Sequence, residues 1–336
     1  MSIRLQTLLG MFLMASLFSC HLADNQRGPS AEEILNSESF AGLTDSLRRF
    51  PQNVGLRLSR AERLTQQNFH ALAASDYHKV WQLQPSETAA LTYASSLFLS
   101  GQEEAAMDLL QQGAKMYPGN PEFLRRLSEA YVQRGELSKA LAQYSEVLKT
   151  DSGNFDVWYQ QGLLQARVKD TPASIRSLEQ AYHMQPVQLY GLSLAGLYAE
   201  TGNPKALSVC DGLIGPDSAQ RATDAIYLKG LYYNNTHQWN QALQQYEACI
   251  RKDWKYTEAY IEKGIILYNE HNIDEALNTF AIAAKVSVTY PDAYYWMGRC
   301  YEKIGQPTVA RQSYERAVAL DRDYPEAEEA LRKLER

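Results

Sequence analysis

Apolar residues recur along most of the chain at i, i+3, i+4 and i+7, and these helical stripes come in pairs separated by short polar turns. Two stretches show it best: "PEFLRRLSEAYVQRGELSKALAQYSEVLKTDSG" from residue 121 and "PDAYYWMGRCYEKIGQPTVARQSYERAVALDRD" from residue 291. Tyr131, Gly135, Ala140 and Tyr144 of the first match Tyr301, Gly305, Ala310 and Tyr314 of the second, an offset of 170 residues, or five periods of 34. Within a 34-residue frame, positions 4, 7, 8 and 11 form the stripe of a first helix, and positions 20, 24 and 27 that of a second. The pattern predicts a chain of helix hairpins.

Close contact within a hairpin needs small side chains at positions 8 and 20. The pairs are Ala61/Ala73, Ala94/Ala106, Ser128/Ala140, Gly162/Ser174, Ala195/Ala206, Gly230/Ala242, Gly264/Ala276 and Gly298/Ala310. Gly101, Gly135, Gly202 and Gly305 fall where the first helix ends and a left-handed residue is wanted, and Asn68, His237 and His271 share that slot. The shared slot makes turn residues of both histidines, in preference to a two-histidine metal site.

The period and the small pairs resemble the tetratricopeptide repeat over almost all of residues 54–324. The resemblance implies an all-α fold, a right-handed solenoid in which helix hairpins wind into a superhelix, and protein or peptide binding. About eight units begin near Val54, Glu87, Pro121, Phe155, Gln188, Thr223, Thr257 and Pro291, with irregular spacing near 200–222 where a kink is expected. Residues 31–53 read as an N-terminal helical cap or partial repeat. Residues 325–336 read as a charged capping helix in which Ala327 faces solvent.

The first 19 residues read as an export signal: Arg4 is their only charge, and an apolar run from Leu8 to Phe18, too short to span a bilayer, follows it. Leu17-Phe18-Ser19-Cys20 resembles the lipobox of bacterial lipoproteins, which implies cleavage before Cys20 and acylation of that residue. Residues 20–30 then form a polar tether, and His21, where aspartate would favour the inner membrane, implies the outer membrane facing the periplasm. The formal net charge is −6 at 21% charged residues, which gives no electrostatic footprint for nucleic acid. Tyrosine, at 22 residues, is the compositional outlier.

No catalytic, metal or phosphate signature is present, so neither an enzyme nor a cofactor is expected. Adjacent acids such as Glu103 and Glu104 point about 100° apart on a helix and do not share a site. Cys210 and Cys249 occupy stripe positions 24 and 27 and read as buried thiols, with a disulfide between them as the alternative. Positions 2, 5, 9 and 12 line the inner face of tetratricopeptide superhelices. Here that set supplies the candidate partner-binding residues Arg125, Tyr159, Tyr227, Leu231, Tyr268, Tyr295 and Arg299, with the tyrosines expected to be exposed in the free protein. The carboxylate clamp of chaperone-binding members is not matched. The reading is a lipid-anchored periplasmic scaffold for protein or peptide partners; the alternative is an exported soluble regulatory or carrier module that presents a peptide or glycan ligand to an enzyme.

Overall fold

The computed structural model describes residues 29–215 and 222–334, and Cys20, its flanking signal and most of the tether lie outside them. Among the described residues there are nineteen α-helices and no strand. The short α1 (Ala31–Asn36) and α2 (Ala41–Arg49) come first. Ser30 starts α1 with a capping box in which its hydroxyl accepts from the Glu33 amide. Eight helix hairpins follow, their first helices being α3 (Val54–Gln66), α5 (Glu87–Leu99), α7 (Glu122–Gln133), α9 (Phe155–Arg167), α11 (Gln188–Glu200), α13 (Ala222–Asn235), α15 (Thr257–Asn269) and α17 (Pro291–Lys303). Their second helices are α4 (His70–Leu83), α6 (Glu103–Met116), α8 (Leu137–Thr150), α10 (Thr171–Met184), α12 (Lys205–Leu213), α14 (Trp239–Lys252), α16 (Ile273–Val286) and α18 (Pro307–Leu320). The chain divides into two compact portions at Leu109/Leu110, inside α6.

Each hairpin turn carries one left-handed residue. These are the four predicted glycines with Asn68, His237 and His271, and also Lys169 at φ 64°. Lysine does not favour this region, so only its slot, never its type, could have marked it.

The alanines and serines of the small pairs are fully buried. The glycines have a specific reason, because a Cβ at Gly230, Gly264 or Gly298 would lie 2.5 Å from the ring of Tyr246, Phe280 or Tyr314 respectively. A bulky ring at position 24 of the second helix thus occupies the space that a first-helix side chain would take.

In the first portion, Phe40, Ala61, Leu64, Ala73 and Tyr77 form a common core. Here the apolar stripe is broken, since positions 4 and 7 are Arg57 and Arg60. Both turn onto Asp76, which is 2% exposed: Arg60 Nε reaches Oδ2 at 2.7 Å, and Arg57 Nη1 reaches Oδ1 at 3.0 Å. Arg60 also donates to the Thr44 hydroxyl, whose own proton goes to the Leu35 carbonyl, so this network ties α1 and α2 to the first hairpin.

In the second portion, position 7 of a repeat meets position 25 of the repeat before it through polar pairs. Gln161 Nε2 donates to Ser145 Oγ at 2.8 Å, Lys229 meets Asp211 at 2.7 Å and Lys263 meets Glu247 at 3.0 Å. These pairs fix the register between neighbouring hairpins. In the irregular region, α12 has 9 residues where α10 and α14 have 14, and the exit from it, residues 216–221, lies outside the described residues. The last helix, α19 (Pro325–Leu334), packs on the eighth hairpin through Ala327 and Ala330. Ala327 is fully buried instead of facing solvent, because it is the residue on which α19 docks against Tyr314 and Ala317.

Candidate functional site

The tyrosines proposed for the inner face are not exposed. Tyr159, Leu231, Tyr268 and Tyr295 are 6%, 7%, 8% and 9% exposed, and Tyr227 is half-buried. The physical reason is a third tyrosine supplied from outside the hairpin. Tyr227 sits 5.8 Å from the ring of Tyr246 in its own hairpin and 5.2 Å from that of Tyr256 at the entry to the next. Tyr295 repeats this arrangement with Tyr314 at 5.8 Å and Tyr324 at 5.2 Å. Tyr159 packs on Tyr190 at 4.4 Å, and its hydroxyl lies 3.0 Å from that of Ser193. The rings of Tyr227 and Tyr295 are therefore wedged between positions 24 and 34, and Tyr159 meets the first helix of the next repeat, so each joins one repeat to the next.

The two arginines differ. Arg125, with a side chain 36% exposed, gives Nε to Glu122 at 2.6 Å and Nη1 to Glu129, so its charge is met within α7. Arg299 is 37% exposed and lies over three rings, those of Tyr268 at 5.7 Å and of Tyr295 and Trp296 at 5.9 Å. One of its N–H groups donates to Tyr295 Oη at 2.9 Å. Its Nε lies 3.9 Å from Glu302, and a guanidinium set among three rings and still partly exposed is a suitable contact for a carbonyl or carboxylate.

Sequence reasoning missed the acids of this face. Asp224, Glu258 and Asp292 stand one 34-residue period apart, as do Tyr256, Tyr290 and Tyr324. Tyr256 donates to Asp224 at 3.1 Å and Tyr324 donates to Asp292. Deeper lies Glu262, 5% exposed, which accepts from Asn234 Nδ2 at 3.2 Å. Burial, together with the charge of Asp292, pushes the Glu262 carboxyl up to about 7. The Tyr246 hydroxyl lies beside Asn234 and Glu262, buried and without a hydrogen bond of acceptable geometry. The period-34 recurrence of acid and tyrosine was the signal that could have found this set.

Two grooves lie elsewhere, at one and the same register in two different repeats. One of about 700 Å³ is floored by Trp158, Gln161, Gln165 and Ser177, and one of about 230 Å³ by Tyr260, Lys263 and Thr279. Both are bounded by the second helix of the preceding repeat. Cys210, Cys249 and Cys300 are separate, fully buried free thiols, and the disulfide alternative is not formed. Burial pushes each thiol up to about 12, which keeps it in the unreactive protonated form. Among the described residues, no group of three or more His, Cys, Asp and Glu side chains could hold a metal ion.

Family models described as tetratricopeptide repeat match residues 97–168 and 261–328. With the repeating hairpins, these matches define a tetratricopeptide repeat protein, a class of protein-interaction scaffold. Among solved structures, a tetratricopeptide repeat protein from Parabacteroides merdae is 13% identical and aligns over 74% of this chain and 99% of its own, at a TM-score of 0.60. Yeast Tom70 is 16% identical at a TM-score of 0.52, over 82% of this chain and 59% of Tom70. PilW, a widely conserved type IV pilus biogenesis factor, is 14% identical at 0.51, over 63% of this chain and 98% of its own. At these identities the likeness is one of fold. No curated protein matches the sequence.

Proposed function

We propose that the protein is a lipid-anchored scaffold of the bacterial cell envelope, tethered through Cys20 and holding protein or peptide partners on its repeats. The observation that carries this reading is the run of helix hairpins behind a lipobox-like segment, Leu17 to Cys20, and a polar stretch that ends at residue 30. Stacked hairpins offer an extended surface whose elements each contact only their neighbours, which suits a long partner segment better than a small substrate. An acyl chain on Cys20 would hold that surface at a membrane by burying methylenes at ~0.8 kcal/mol each. His21 supports the outer membrane and a periplasmic orientation.

On the repeats, Tyr227 and Arg299 are the residues that a partner touches, with Arg125 a weaker contact because Glu122 and Glu129 already neutralise it. Tyr159, Leu231, Tyr268 and Tyr295 set the shape of the face from below. Binding, not catalysis, is the assigned role. Metabolic labelling with a clickable fatty acid tests the anchor: the wild-type chain takes up label and sediments with membranes, whereas Cys20→Ser does neither and melts unchanged. Retention of the variant in membranes at the processed mass would refute the anchor. Capture from detergent-solubilised membranes tests the scaffold, which fails if no protein co-purifies reproducibly.

A further inference from the structure

We propose that the face carrying Asp224, Glu258 and Asp292 receives an extended segment of a partner protein bearing lysine or arginine, one cationic side chain per repeat. The inference deepens the scaffold reading and rests on it.

Acids in the first turn of a helix are ordinary, because they favour the positive end of the helix dipole. Three further observations separate these. Among the described residues Asp224, Glu258 and Glu262 take part in no ion pair, while the one lysine on each of α13 and α15, Lys229 and Lys263, is committed to Asp211 and Glu247. The bonds that Asp224 and Glu262 do accept come from a tyrosine hydroxyl and an amide, which leaves their negative charge unopposed. Beside Glu262, itself 5% exposed, lies the Tyr246 hydroxyl, buried and without a hydrogen-bond partner. The buried Glu262 carboxyl, ringed by Tyr227, Tyr246 and Tyr290, has no cation beside it, and an ammonium or guanidinium from outside would favour its ionised form. That cation would gain charge-assisted hydrogen bonds and the faces of the rings. Burial that holds Glu262 near 7 and raises Asp224 above the ordinary carboxylate range reports the same unmet demand.

Register follows from geometry. The helices α15 and α17 pack directly, and packed helices lie about 10 Å apart. An extended chain in the polyproline II form advances ~3.1 Å per residue with about three residues per turn, so every third side chain lies on the same side and meets the next acid.

The probe is a fluorescent peptide with lysine at every third position and serine between, compared with a peptide of the same composition whose lysines are consecutive. Fluorescence anisotropy with the full-length protein in detergent should show the spaced peptide binding about tenfold tighter than the block peptide, and weakening with salt. The Asp224→Asn, Glu258→Gln double variant should lose about tenfold in affinity for the spaced peptide, while Glu103→Gln with Glu104→Gln, at exposed positions of α6, changes nothing. Asp224→Asn keeps an oxygen to accept from Tyr256; should the double variant melt early, Glu258→Gln alone carries the test, since that side chain accepts no hydrogen bond in the structure. Equal binding of the two peptides, or full affinity in the variants, overturns the proposal. A captured native partner that binds through an uncharged or acidic segment also overturns it and leaves the scaffold reading standing; capture of no partner refutes that reading instead.

Discussion

Gly264→Ala tests whether the glycines of the hairpin contacts are there for space. On an isolated helix the change is favourable, because alanine exceeds glycine in helix propensity by ~1 kcal/mol. Inside this hairpin the new methyl would meet Phe280 of α16 at 2.5 Å from Cε1 and 2.7 Å from Cζ. The ring has nowhere to go, since Phe280 is fully buried and stacks on Trp296 with 5.8 Å between centroids and 13° between planes. Overpacking of this kind costs ~1–3 kcal/mol, enough to cancel or reverse the propensity gain.

Gly42→Ala on α2 is the reference, because a Cβ there meets nothing within 4 Å and the same substitution should stabilise by ~0.4–1 kcal/mol. The expected gap between the two variants is thus ~1–3 kcal/mol, in urea melts and in amide exchange of α15 and α16. Exchange matters because a linear array opens locally, and one global midpoint averages over it. Phe280→Leu supplies the cycle: with the ring gone the methyl should be tolerated, and the double variant should be more stable than the sum of the singles by ~1 kcal/mol or more. If Gly264→Ala stabilises as much as Gly42→Ala, or if the cycle closes within ~0.5 kcal/mol, the steric account of the repeat is wrong.

Other perturbations follow from the same structure. Asp76→Ala should destabilise the first portion by ~3–5 kcal/mol in denaturant melts, because it strands Arg57 and Arg60, whose side chains are 15% and 12% exposed; replacing all three residues by leucine should recover most of the loss. Tyr295→Ala should cost ~3–5 kcal/mol in local stability of α17 to α19 by hydrogen exchange, as for other buried aromatic truncations, and an unchanged exchange pattern would restore the exposed-tyrosine reading. Glu262 faces Asn234, Tyr227, Tyr246, Tyr290 and Asp292, and its folded-state pKa, at about 7, lies above the ordinary 4.5. The protonated form is therefore the stabilised one: its contribution is fully present below pH 4.5 and is lost by about pH 7, on the order of 3 kcal/mol. Glu262→Gln should remove that decline, and parallel stability-against-pH curves for the two proteins would contradict it.

Much of the fold was legible because the information lay within one 34-residue unit. The small pairs and the left-handed turn slots depend on contacts inside a hairpin, and all sixteen small positions fall where the helices touch. The misjudged features are those that cross from one repeat to another. A helical wheel could not show that a tyrosine from the next repeat, Tyr190, Tyr256 or Tyr324, arrives to cover Tyr159, Tyr227 or Tyr295. Arg57 and Arg60, at stripe positions 4 and 7 of the first repeat, find their counter-charge in the buried Asp76 of the second helix, which the stripe pattern alone does not show.

The tyrosine excess now has a cause that single-helix patterns conceal. Where repeats stack, each junction needs a large apolar body whose far end still reaches the polar surface, and tyrosine supplies both. Across repeat junctions Tyr190 ends on Asp156, Tyr198 on Glu179, Tyr256 on Asp224 and Tyr324 on Asp292, and within the eighth hairpin Tyr314 ends on Glu302. Phenylalanine at 256 would fill the same volume and take from the half-buried Asp224 the hydroxyl that it accepts from, a cost of ~1–3 kcal/mol. The same arrangement lays a row of acids along the surface at the repeat spacing. A device for joining repeats therefore also writes a charge pattern of fixed period, and the partner class proposed above is the one whose charges answer that period.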